Sequence, residues 1–163
     1  MKEFFTVPYV DDNSDNQSRF QRAVLRTETP LHIQPFFAAD PAMTYLQGDA
    51  PFQNRKIHPF PVFLLCSDDL RDSESSEFVT RVRTISKCAD LPIIMLGESG
   101  KVTSVSKCYA AGADHFVDNP WAAARLDMLV QTLYDCAALG PPGFDSLSSV
   151  REHQACPRAC AAR

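Results

Sequence analysis

No apolar run in this chain approaches the ~20 residues that a membrane span needs. The start, Met1-Lys2-Glu3-Phe4-Phe5, carries an acid and too short an apolar stretch for a secretory signal. Both absences read as a cytoplasmic protein with no membrane partner. Glycine is scarce, 6 of 163 residues. No Gly-rich loop follows the first apolar segment; Asp-Asp-Asn-Ser stands there and repels a phosphate. Basic charge is short too: 16 Lys and Arg against 20 Asp and Glu give a net charge of -4. That gives no general pull toward nucleic acid. No nucleophile elbow in Ser-His-Asp order appears, and His115, in an apolar segment, reads as a structural histidine. Cysteines form no framework. Cys66, Cys88, Cys108 and Cys136 are scattered through apolar segments and suit buried free thiols in a reducing compartment. Cys156 and Cys160, with His153, are either a metal set lacking a fourth ligand or incidental residues of a tail.

What is present is an ordinary globular composition, 45% hydrophobic and 22% charged. One domain over residues 1–140 and a flexible tail over 141–163, with a short helix around 147–155, account for the length. The chain is organised around residues 62–65, Val-Phe-Leu-Leu, between Pro61 and the acids Asp68 and Asp69. A continuous apolar run of this kind fits a strand buried on both faces. Such strands end at the rim where α/β proteins place ligands, here at Cys66, Ser67 and Asp68.

Other segments repeat the pattern. Residues 4–10 (FFTVPYV) read as a strand, with Pro8 awkward in a central position. Asp11 to Ser14 are N-cap residues before a helix at 15–26. Residues 31–38 (LHIQPFFA) suit an edge strand. Asp40 caps a short helix with Pro41 at its first position, ending at Gly48. Residues 73–86 form a helix with Phe78, Val82 and Ile85 at helical spacing. A strand at 91–96 leads to a turn at 97–100. A helix at 102–111 stops at Gly112, a strand at 115–117 follows, and a last helix covers 122–139. Strand-helix repeated five times predicts a doubly wound parallel sheet.

Residues 4–139 resemble the receiver domain of bacterial response regulators (CheY-like), by several specific pieces. Tyr9-Val10-Asp11-Asp12-Asn13 is similar to the acidic-pair motif after strand one. Ala110-Ala111-Gly112-Ala113-Asp114-His115-Phe116-Val117-Asp118-Asn119-Pro120 is similar to the Ala-Gly-Ala-Asp and Lys-Pro segment around strand five. Tyr45-Leu46-Gln47-Gly48, Ala50-Pro51-Phe52 and His58-Pro59-Phe60-Pro61 resemble the long loop before strand three in single-domain regulators of bacteriophytochrome-type kinases. The resemblance implies a flavodoxin-like five-stranded sheet of order 2-1-3-4-5 with five helices. It implies a stand-alone, non-enzymatic regulator in two-component (phosphorelay) signal transduction.

A working receiver, on that resemblance, needs an acceptor Asp after strand three and two acids that share Mg²⁺ with it. It also needs a Thr or Ser after strand four and a Lys after strand five. Here the acceptor position falls on Ser67, with Cys66 or Asp68 one step away, Gly97 replaces the hydroxyl residue and Asn119 the Lys. Only Asp11 and Asp12 survive, so no cofactor is expected beyond weak, vestigial Mg²⁺. The chain therefore reads as a pseudo-receiver that signals by protein–protein interaction, with a sensor histidine kinase or another regulator. Alternatively it dimerises through the helix 4–strand 5–helix 5 face. Candidate interface residues are Val102, Val105, Tyr109, Phe116 and Trp121; Trp121 either anchors a partner or covers the end of the core. Phe116 stands at the aromatic switch position and is expected to be fixed, and Asn119-Pro120 is expected to be cis. Two alternatives remain: a phosphorylatable receiver using Asp68 or Asp69 as a displaced acceptor, and an unrelated flavodoxin-like binding protein.

Overall fold

Alternating apolar side chains along each strand require cover on both faces of the sheet, and a computed structural model shows that cover. It describes residues 2–71, 74–98 and 102–140. In chain order the elements are β1 (Phe5–Val10), α1 (Ser14–Arg26), β2 (Leu31–Phe36), α2 (Ala39–Gln47) and β3 (Leu64–Ser67). After them come α3 (Ser75–Thr84), a 3-10 turn (Ser86–Cys88), β4 (Ile93–Gly97), α4 (Val102–Ala111), β5 (His115–Asp118) and α5 (Ala123–Leu139). The strands form one parallel sheet of order β2-β1-β3-β4-β5, the doubly wound order expected. β2 lies at an edge and tolerates Pro35.

One face carries Val7 and Tyr9 of β1, Leu65 of β3, and Ile94 and Leu96 of β4 against Phe20 of α1 and Leu126, Val130 and Leu133 of α5. The other carries Val10, Leu64, Cys66, Ile93 and Met95 against α2, α3 and Cys108 of α4. Neighbours in sequence thus go to opposite sides, as the pleat demands. The order reverses at β1: the chain moves outward to β2, then returns across β1 to build β3 on the other side. Ligand crevices open at such a reversal, beyond the carboxyl ends of the two diverging strands. Those ends carry Asp11 and Asp12 on one side and Ser67 and Asp68 on the other.

Several boundaries differ from the sequence reading. β3 and β4 begin two residues later than their apolar runs, because pairing opens with Leu64 N–H to Pro92 O (2.9 Å) and Leu64 opposite Ile93. Both strands then run on into Ser67 and Gly97, so Gly97 is strand rather than turn. α2 is capped by the backbone of Ala38, with no side-chain cap, which places Asp40 and Pro41 inside its first turn. α3 ends at Thr84, and Ile85 is extended (φ -76, ψ 117) rather than helical. The cis peptide among the described residues is Ala50-Pro51; Asn119-Pro120 is trans. The expected tail helix at 147–155, and His153, Cys156 and Cys160, lie outside the described residues.

Candidate functional site

A cavity of about 400 Å³ opens at the reversal point. Its lining includes Asp11, Asp12, Ser67, Asp68 and Gly97, together with Asn16, Arg19, Asp69, Arg71, Glu98 and Trp121. The sequence-predicted acids, the acceptor position and the β4 switch position are therefore gathered in one place. Asn119 is not among the lining residues. It is exposed, with φ +44, a left-handed conformation that Asn tolerates well. Its backbone geometry explains the residue, and its side chain adds no cation to the pocket.

Asp11 is buried, and its oxygens are already engaged. Tyr9 Oη donates to Asp11 Oδ2 at 2.6 Å, Asn16 Nδ2 donates to the same oxygen at 3.1 Å, and Asn13 N–H donates to Oδ1 at 2.9 Å. Burial pushes the Asp11 carboxyl above the ordinary range; the bonds from Tyr9, Asn13 and Asn16 pull it back, and Asp12 pushes it up again. Burial and the adjoining Asp11 charge push the Tyr9 hydroxyl strongly up, so it stays a donor. Asp12 Oδ2 accepts from Arg71 N–H at 2.7 Å, which ties the loop after β1 to the loop after β3. Gln17 holds the strand ends beneath: its Nε2 donates to Tyr9 O (3.0 Å), Asp11 O (3.2 Å) and Phe36 O (3.3 Å).

Ser67 is 5% exposed, and its hydroxyl serves its own loop. Ser67 Oγ accepts from Asp69 N–H at 3.1 Å, a short side-chain turn, and Ser67 O accepts from Ser75 Oγ at 2.7 Å. Cys66 faces the α3–α4 side, fully buried, and burial raises its thiol well above the ordinary range. The receiver resemblance implies a divalent ion held by the acidic pair together with an acceptor carboxylate. Asp11 and Asp12 already accept protein donors and Ser67 carries no carboxylate, so a third carboxylate would have to come from another lining residue such as Asp68 or Asp69. Among the described residues no group of three or more His, Cys, Asp or Glu could hold a metal ion.

The candidate interface is less apolar than its sequence spacing suggests. Val105 is 1% exposed and belongs to the interior. Phe116 is half-buried and packs into the α2–α4 side core, and Tyr109 is half-buried. The side chain of Val102 lies outside the described part. The exposed positions of α4 that follow are Ser106, Lys107 and Ala110. Trp121 is half-buried, packs against the α1–α5 side core and lines the cavity.

Sequence reasoning missed Tyr9, Asn16 and Arg71. Tyr9 carried a usable signal, since residues two apart on a strand share a face and so Tyr9 meets Asp11. Arg71 acts through its backbone N–H, for which the side-chain type gives no signal.

No protein-family model matches the sequence, and no curated protein matches it. Solved structures do match in fold. A response regulator in red light signalling of R. palustris is 17% identical, with a TM-score of 0.73 over 80% of this chain and 92% of that one. The phosphorylated cyanobacterial phytochrome response regulator RcpA is 15% identical, with a TM-score of 0.72 over 83% and 95%. The bacteriophytochrome response regulator AtBRR is 19% identical, with a TM-score of 0.64 over 79% and 91%. The chain has the response-regulator receiver fold.

Proposed function

We propose that this protein is a receiver-type regulator of two-component signalling that works through phosphorylation-independent contact with a protein partner, a sensor histidine kinase or another regulator. It is not an enzyme on this reading. The observation that carries the proposal is the commitment of the acidic pair. Three protein donors occupy Asp11 and one occupies Asp12, while the acceptor position is a serine whose hydroxyl closes its own turn. Phosphoryl transfer depends on a metal to neutralise developing charge and on a carboxylate to attack. A metal on the acidic pair would compete with those donors, and a serine supplies no carboxylate to attack. The fold itself remains a packed scaffold on which a partner can read a surface.

Incubation with acetyl phosphate, or with beryllofluoride, each with Mg²⁺, tests this. The intact mass stays unchanged and the backbone amide spectrum does not move. An adduct that disappears in Asp68→Ala or Asp69→Ala would overturn the proposal in favour of a displaced acceptor.

A further inference from the structure

Gly97 is a glycine for reasons of space. Gly48, Gly112 and Gly140 have φ of +75, +118 and +79, where a side chain is strained. Gly97 is outside that group, and its backbone would accept any residue. A Cβ placed on it, however, would fall within the Asp68 carboxylate, overlapping Cγ and both oxygens at once. The whole carboxylate therefore lies over the Gly97 α-carbon. The backbone holds it there. Asp68 N–H donates to Leu96 O at 2.9 Å, and Ser67 stands opposite Leu96 in the β3–β4 ladder, so Asp68 follows directly beside Gly97. Gly97 O accepts from Asn119 N–H, so the end of β5 is tied to the same point.

We propose that Asp68 is a built-in occupant of the switch position: its carboxylate fills the volume in which a residue-97 side chain would move, and so holds the ends of β3, β4 and β5 in one arrangement. This rests on the reading that the domain signals without phosphoryl transfer, and it supplies the means. The receiver resemblance implies a hydroxyl at residue 97 that moves toward a newly attached anion. In this chain the anion is a permanent side chain from the next strand, and the moving group is absent. The loss of a side chain at 97 and the acid at 68 are then one change, each making room for or filling the other.

A double-mutant cycle tests the pairing with Gly97→Ala, Asp68→Ala and the double variant. Gly97→Ala in the native background lowers the thermal unfolding midpoint by roughly 5 °C or more, as overpacking does. In the Asp68→Ala background the same substitution shifts it by less than about 1 °C, because the obstructing group is gone. Should Gly97→Ala fail to fold, a folded double variant still supports the pairing, and an unfolded one overturns it. Equal losses in both backgrounds overturn it too. As a second readout, relaxation dispersion on Asp68→Ala shows new millisecond exchange at residues 97, 98, 118 and 119. Exchange confined to residues 67–70 would sink the claim that Asp68 holds all three strand ends. An acetyl-phosphate adduct on the native chain would defeat the phosphorylation-independent reading while leaving the measured coupling intact. Absent coupling in an unmodifiable protein defeats this inference alone.

Discussion

Tyr9 and Asp11 project from one face of β1, and the phenol donates to the carboxylate at 2.6 Å inside the protein. Removing the hydroxyl leaves a buried acceptor short of one donor. Tyr9→Phe should therefore cost about 2 kcal/mol, the range for a hydrogen bond to a charged group, in denaturant unfolding. The pH dependence has a definite sign. Asp11 holds its proton more tightly folded than unfolded, because burial dominates its environment. Its contribution to stability is thus full in acid, below the unfolded value, and is lost as pH rises through the raised folded value. Measured against Asp11→Asn, which cannot titrate there, the native chain should lose relative stability as pH rises above the ordinary aspartate value of about 4. A relative gain over that rise would contradict the burial argument. Ser67→Asp supplies an acceptor without releasing the acidic pair, so acetyl phosphate with Mg²⁺ should still leave its mass unchanged.

At the scale of elements, the end of α3 is held by a single guanidinium. Arg83 Nη1 donates to Cys88 O at 2.9 Å and Leu91 O at 2.7 Å, and Nη2 donates to Gly112 O at 2.7 Å and pairs with Asp114 at 2.9 Å. Asp114 in turn accepts from Ile93 N–H at 2.9 Å. One side chain thereby joins the exit of α3, the 3-10 turn, the start of β4 and the turn before β5. Arg83→Ala should lower unfolding free energy by about 2–4 kcal/mol. Arg83→Lys should recover little of it, since an ammonium cannot reproduce the fork. This clamp also explains what the sequence hid. Phe78, Val82 and Ile85 keep helical spacing, yet the chain leaves the helix before Ile85 and turns so that Cys88 O and Leu91 O meet Arg83. Long-range bonds of that kind leave no trace in periodicity. The strands show the complementary limit. The apolar runs at 62–65 and 91–96 reveal depth in the core, which is why a buried parallel sheet could be read, while its strand order came from the receiver resemblance. Hydrogen bonding decides the ends, and it carries β3 and β4 onto Ser67 and Gly97, where hydrophobicity is silent. The acidic pair was legible as a motif; the donors that occupy it, and the overlap of Asp68 with residue 97, belong to the folded chain only.

Across the whole molecule, Cys66, Cys88, Cys108 and Cys136 are buried and outside any disulfide. Burial raises the Cys66 thiol well above its ordinary range and that of Cys108 to about 11. Alkylation of Cys66 in the native protein should therefore proceed only at the frequency of opening, slowing in step with added stability. Labelling independent of stability would mean that the α3–α4 side opens locally. The sheet itself is unevenly joined. β1 pairs with β2 along all six of its residues but with β3 only at Tyr9 and Val10, immediately beyond Pro8, which has no N–H to give. The sparsest seam thus runs between the strand that ends in the two acids and the strand that ends in Ser67. Stretched by its termini, the protein would tear there first, parting the two lips of the cavity while each half of the sheet still kept its shape.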